Sequence, residues 1–249
     1  MAALAADRRR TGLAAWAPHA DPRLWSTLKA LGGQRHPAGP VLELAATWVG
    51  PPASFDRRLR GLLDHVVAPG VRVPHVRGYR EAMLAYAGCL DVPAAQCTTG
   101  PGGALTRERF SGTSNVAYDP LSTAGVADLV AGVRSVPAGL VEAGVSLDAL
   151  GGRVRDLAPG DTAFVHRRAL ATVQYTATYA SGPAATADSY VRGFRRRMTP
   201  HWGDHAYVNY SDPTLRHPGT AYFGANLTRL RSVAHTYDPD GFFTQPQDY

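Results

Sequence analysis

The stretch GPVLELAATWVGPPASFDRRLRGLLDHVV, residues 39–67, sets two hydrophobic periods side by side, and their order decides the fold class. Gly39 to Gly50 alternates as a half-buried strand does. From Ser54 onward, Phe55, Leu59, Leu62, Leu63 and Val66 recur at helical spacing, with Ser54 placed as an N-cap. A strand feeding an amphipathic helix is the first unit. Beyond it, VRVPHV (71–76) reads as a short edge strand because of its proline, and YREAMLAYAG (79–88) as a helix ended by Gly88. Asp91 to Gly103 is rich in Pro, Gly and Thr and reads as a loop.

A second round begins near Phe110. It has a helix at Leu121 to Val133, a strand leading into SLDALGGRVRDL (146–157), and another strand in RALATVQYTATYA (168–180). The helix around Ala187 to Met198 turns Tyr190, Val191, Phe194 and Met198 inward. Tyr222 to Tyr237 reads as a last helix with Phe223, Leu227, Leu230 and Ala234 on one side. No exact repeat occurs. The pattern predicts an α+β fold, a mostly antiparallel sheet with helices packed on one face. Residues 1–33 are read as an unassigned N-terminal tail and 34–249 as one domain.

With 249 residues, 45% apolar and 18% charged, the chain is of globular composition, which excludes disordered and collagen-like classes. The formal charge of +6 comes almost wholly from arginine, because Lys29 is the only lysine. Arg8-Arg9-Arg10 and Arg195-Arg196-Arg197 are the only basic runs, and both are read as solvated. Arginines and aromatics interleave on no segment, so no nucleic-acid partner is expected. No window approaches 18 apolar residues, and TGLAAWAPHADPR (11–23) breaks too soon for a signal-peptide core. The expectation is a cytoplasmic chain without a membrane partner.

Cys89 and Cys97 match neither a C-x-x-C redox motif nor a zinc knuckle and are expected to be buried thiols. His201 and His205 are spaced i, i+4, but Pro200 and Gly203 interrupt the segment and no glutamate follows His201, so no metal site is expected. Neither G-x-G-x-x-G nor a Walker loop occurs. Gly100-Pro101-Gly102-Gly103 reads as a plain turn.

Three stretches of the C-terminal half carry a resemblance: DALGGRVRDLAPGDTAFVHRRALATVQYTATY (148–179), AYVNYSDPTL (206–215) and AYFGANLTRLRSVAHTYDPDGFF (221–243). In order they present a Gly-Gly pair after an acidic residue, Ala-Phe-x-His-Arg, Tyr-x-Asn-Tyr, Tyr-Phe-Gly-x-Asn-x-x-Arg-Leu and a closing Tyr-Asp-Pro-x-x-x-Phe. From about Val141 to Phe243 the chain resembles the substrate-domain half of the berberine-bridge-enzyme-like FAD-linked oxidases, of the vanillyl-alcohol-oxidase type. Residues 39–133 fit the same domain more loosely.

The resemblance implies FAD as cofactor and a small molecule as substrate. It also implies that the family's N-terminal FAD-binding domain is absent here, together with its glycine-rich diphosphate loop and its His and Cys flavin attachments. FAD is then not held by this chain alone, and a separate FAD-binding half is the implied partner. Asn209 and Tyr210 are the residues the family turns toward flavin and substrate, on a short strand that stops at Pro213. Tyr210 is the implied base, its phenol brought below a pKa of about 10 by a neighbouring charge. Asp148 is the implied partner or alternative base. By residue type alone, a hydrogen-bonded core tyrosine and a turn-capping aspartate stand as the other reading. His166-Arg167 and Asn226 are expected to hold structure together. The expected function is oxidation of a hydroxyl or related carbon of a sugar or secondary metabolite. The alternative is a non-catalytic remnant, or a small-molecule-binding protein of the same fold.

Overall fold

A computed structural model describes residues 21–64, 70, 73–181, 184–245 and 247. β1 (Leu24–Gly32) turns back into β2 (Val41–Trp48), pairing antiparallel from Leu24↔Trp48 to Leu31↔Val41. The turn leaves β1 through Gly33 at φ +107°, where a Cβ would come within 3.0 Å of the Leu140 and Val141 carbonyl oxygens. Only glycine fits there. β4 (Glu142–Ala149) pairs antiparallel with β1 on one side and with β5 (Ala171–Tyr179) on the other. With β3 (Arg109–Ala117) at the edge, the strand order is β2-β1-β4-β5-β3.

Strand alternation and register give this sheet two unlike faces. One carries the aligned rows Leu42–Ala30–Val145–Tyr175 and Leu44–Leu28–Leu147–Val173. Against it pack α3 (Thr123–Arg134) and α4 (Ala185–Trp202), whose Leu129, Val133, Tyr190, Val191, Phe194, Met198 and Trp202 close the main core. Burying each large side chain of this kind is worth roughly 1.5–3 kcal/mol. The other face carries the rows Glu43–Lys29–Ser146–Gln174 and Ala45–Thr27–Asp148–Thr172. Apart from Ala45, these two rows are hydroxyls, carboxyls, an amide and the sole lysine. The α+β class and the one-sided helices agree with the sequence pattern.

α1 (Pro52–Leu63) packs Leu62 on Leu24, with Phe55, Leu59 and Trp48 around them. It starts with proline at its first position, so Ser54 lies inside the helix rather than capping it. β1 falls within residues 1–33, which the sequence left unassigned. Val66 lies outside the described residues, as do Arg8 to Arg10. The predicted last helix is broken: α5 (Pro218–Phe223) ends at Gly224, φ +48°, and α6 (Leu227–Tyr237) starts after a short 3₁₀ turn. Arg195 departs from the solvated reading of its run. It is buried on α4, donating to the Ser114 carbonyl at 2.8 Å and to Asp204 Oδ1 at 2.6 Å.

Residues 68–109 form a separate compact unit. It holds α2 (Tyr79–Tyr86), ended at Gly88 with φ +70° as expected, and a 3₁₀ turn at Ala94–Gln96. The residues of the proposed edge strand that are described, Val73 to Val76, form no strand. Cys89 and Cys97 are joined in a disulfide, not left as thiols. Their eight-residue separation reaches across the turn at Pro93 and Ala94–Gln96, which sequence spacing alone does not disclose.

Candidate active site

Asp148 lies near the end of β4 on the polar face, directly opposite Thr27 of β1 and Thr172 of β5. Ser146 Oγ donates to its Oδ1 at 3.3 Å, and the Tyr210 hydroxyl donates to its Oδ2 at 3.4 Å. The two residues singled out from the sequence, 62 positions apart, therefore meet. Tyr210 does not arrive on a strand. Residues 206–215 form an irregular loop in which the Tyr210 N–H turns back to the Tyr207 carbonyl at 2.9 Å. Its side chain is half-buried, edge-on to Tyr207 with ring centroids 5.1 Å apart. Asn209 is exposed and donates from Nδ2 to the Tyr207 hydroxyl at 2.7 Å. Tyr207, in turn, meets the edge of Phe164.

The sign of the electrostatics differs from the expectation. Burial, reinforced by the negative charge and hydrogen bond of Asp148, pushes the Tyr210 phenol up to about 12. A lowered pKa needs a nearby cation, and the charge that Tyr210 faces is an anion. The hydroxyl is a donor to Asp148 rather than a resident phenolate.

The loop is fastened at both ends. At its start, the Ala206 N–H bonds the Ala221 carbonyl at 3.0 Å, and the Tyr207 N–H bonds Ser114 Oγ at 3.0 Å. His166, 1% exposed, spans from the Tyr118 hydroxyl at Nδ1 (2.7 Å) to the Ala206 carbonyl at Nε2 (3.1 Å). A carbonyl only accepts, so Nε2 carries the proton and Nδ1 accepts from Tyr118. Burial, with the charge of His205 nearby, lowers the imidazole to about 4. At the loop's end, buried Asp212 accepts from Thr113 Oγ1 at 2.5 Å, from the Thr214 N–H at 2.8 Å and from Thr214 Oγ1 at 2.6 Å. Its own N–H bonds the Tyr222 hydroxyl at 2.8 Å. Sequence reasoning missed Asp212, although Asp-Pro-Thr is a local signal for an Asx turn.

The other candidates bond and pack within the fold. Arg167 stacks over Phe164 at 5.0 Å and donates to Thr162 Oγ1 at 2.6 Å. Asn226 donates to the Pro159 and Thr162 carbonyls at 2.7 and 3.0 Å. His201 bonds Asp128 Oδ2 at 2.8 Å, while His205 packs edge-on against Tyr118. Among the described residues, no three metal-ligating side chains converge, and no helix is long and apolar enough to cross a membrane.

Residues 206–248, the span that contains this loop, match the family model described as "Berberine and berberine like". This segment is berberine-bridge-enzyme-like. The "Uncharacterized FAD-linked oxidoreductase YgaK" of Bacillus subtilis is 26% identical over 230 residues, covering 92% of this chain and 46% of that protein. The "Chitooligosaccharide oxidase" of Gibberella zeae is 31% identical over 98 residues, 36% of this chain and 20% of that protein. Among solved structures, "Physcomitrella patens BBE-like 1 variant D396N" superposes with a TM-score of 0.79 at 22% identity, over 95% of this chain and 49% of that one. The chain thus has the fold of berberine-bridge-enzyme-like proteins and spans about half the length of the YgaK protein and of that structure.

Proposed function

We propose that this berberine-bridge-enzyme-like chain supplies the substrate wall and the base of a FAD-dependent oxidoreductase acting on a hydroxyl-bearing carbon of a carbohydrate. The observation that carries the reading is the Tyr210 hydroxyl seated on the Asp148 carboxyl, on a sheet face rich in hydrogen-bonding side chains. Lys29, Ser146 and Gln174, aligned across three strands of that face, offer hydrogen bonds to a polyhydroxylated substrate. The names of relatives that are a chitooligosaccharide oxidase and a carbohydrate oxidase point the same way.

FAD, when bound, supplies the hydride acceptor. The exposed Asn209 amide and the phenols of Tyr207 and Tyr210 suit the edge and face of a flavin ring. The chain carries no glycine-rich phosphate motif, so the fit extends to the ring alone. As the substrate C–H leaves with its electron pair, the hydroxyl must lose its proton for a carbonyl to form. Tyr210 Oη takes that proton while passing its own to Asp148 Oδ2. A phenol near 12 is ionised only about once in 10⁵ molecules at neutral pH, so a free phenolate is not the working base. The carboxylate is the terminal acceptor, and Tyr210 aims the transfer.

General-base catalysis is typically worth about 10² to 10⁴ in rate. In the assembled flavoprotein, Asp148→Asn and Tyr210→Phe should each slow single-turnover flavin bleaching by an aldose within that range. Rates within about threefold of the parent would remove the pair from the chemistry.

A further inference from the structure

The hydrogen bonds behind Asp148 run to a second strand. Thr27 Oγ1 lies 3.0 Å from Ser146 Oγ, and Ser146 Oγ lies 3.3 Å from Asp148 Oδ1. Thr27 is buried on β1, at 6% exposure, directly opposite Asp148 in register. Ser146 has one hydroxyl proton. If it goes to the carboxylate, which only accepts, then the Ser146 oxygen must accept from Thr27. The polarity is fixed from the carboxylate end: Thr27 donates to Ser146, Ser146 donates to Oδ1, and Tyr210 donates to Oδ2.

We infer that Ser146 and Thr27 are positioning residues that hold the Asp148 carboxyl in the rotamer presenting Oδ2 to Tyr210. The inference rests on the function proposed above and deepens it. A carboxyl on a strand has two soft torsions, and the Tyr210 contact alone, at 3.4 Å, leaves them loosely set. A donor on the opposite oxygen fixes the plane of the group. Ser146 is on the same strand and face, two residues away, so it moves with Asp148, while Thr27 ties both to the neighbouring strand. The same pairing could be a mere cross-strand Thr–Ser bond of the sheet. A bond of that kind would matter for stability alone, and the two roles separate experimentally.

Ser146→Ala and Thr27→Val delete one hydroxyl each, and Ser146→Thr and Thr27→Ser restore it. The first readout uses the chain itself. Crystal structures of parent, Ser146→Ala and Thr27→Val chains should show the Asp148 carboxyl against Tyr210 in the parent and turned away in the deletions. An unchanged carboxyl in both overturns the inference. The second readout uses the assembled flavoprotein. Misplacement of a catalytic group is costly in rate, so Ser146→Ala should lower kcat about tenfold, with KM within about twofold, and Thr27→Val about threefold. The restoring variants should return to within about twofold of the parent. If Asp148→Asn abolishes turnover while Ser146→Ala and Thr27→Val leave it intact, positioning is refuted and the base assignment survives. If Asp148→Asn itself turns over at the parent rate, the site reading fails and this inference with it.

Discussion

Acidification should destabilise the fold around the loop that carries Tyr210, because the histidine at its start is buried as a neutral imidazole. His166 is folded with its imidazole lowered to about 4, against an ordinary value of 6.5. A group with a depressed folded pKa keeps the native state short of a proton that the unfolded chain takes up. Stability is therefore intact above 6.5, falls as pH drops through that value, and stops falling near 4. The full difference is on the order of 3 kcal/mol, of which about 2 kcal/mol is lost between pH 7 and pH 4.5. For a chain of this size that is a fall of about 5 to 10 °C in Tm from this one group. Other groups titrate over the same range, so the measurement is a difference of differences. Urea unfolding of the parent and of His166→Gln is compared at both pH values. The variant starts less stable at neutral pH but should lose about 2 kcal/mol less on acidification. Equal losses in the two proteins, to within about 0.5 kcal/mol, would refute the argument that His166 is buried as a neutral imidazole.

Three further outcomes are expected. Asp212→Ala should destabilise the chain by about 1–3 kcal/mol, since it strands the buried Thr113 hydroxyl, and should raise amide exchange across residues 206–215. Replacing Cys89 and Cys97 together by serine should destabilise the 68–109 unit by about 2.5 kcal/mol from loop-closure entropy, with hydrogen exchange rising over Tyr79–Tyr86 and little change in β4 and β5. The isolated chain should emerge colourless from gel filtration in excess FAD, and a flavin absorbance that co-elutes with it would mean that it holds more of the cofactor than the ring contacts.

Local periodicity carried the elements whose two faces differ sharply. Residues 185–202 repeat cleanly, and the inward Tyr190, Val191, Phe194 and Met198 could be named. β1 was hidden because Thr27 and Leu31 are buried on the same face as the exposed Trp25 and Lys29, so burial does not alternate along the strand. Its role depends on pairing with β4, more than a hundred residues away. The disulfide was missed for a similar reason, since only the folded turn brings the two sulfurs together. Asp148 and Tyr210 were singled out through resemblance, not through any spacing, and the fold places them in contact. The direction of the Tyr210 shift was not legible, because it turns on which charge lies nearest and how deeply the phenol is buried.

The division of labour in the site follows from that separation in sequence. The carboxyl belongs to a central strand flanked on both sides and has no freedom beyond its own side-chain torsions. The phenol belongs to a loop with no strand or helix of its own, held by His166 and Ser114 at one end and by Asp212 at the other. A 3.4 Å contact between them is therefore set by two independent frameworks, sheet register and loop anchoring. Damage to either should lengthen it without unfolding the other. In the flavoprotein proposed above, loss of the Asp212 anchor and loss of the Ser146 hydroxyl should then both depress turnover, the first by moving Tyr210 and the second by turning Asp148. Combined, they should cost less than the product of the two effects, because a contact already broken from one side cannot be broken again from the other.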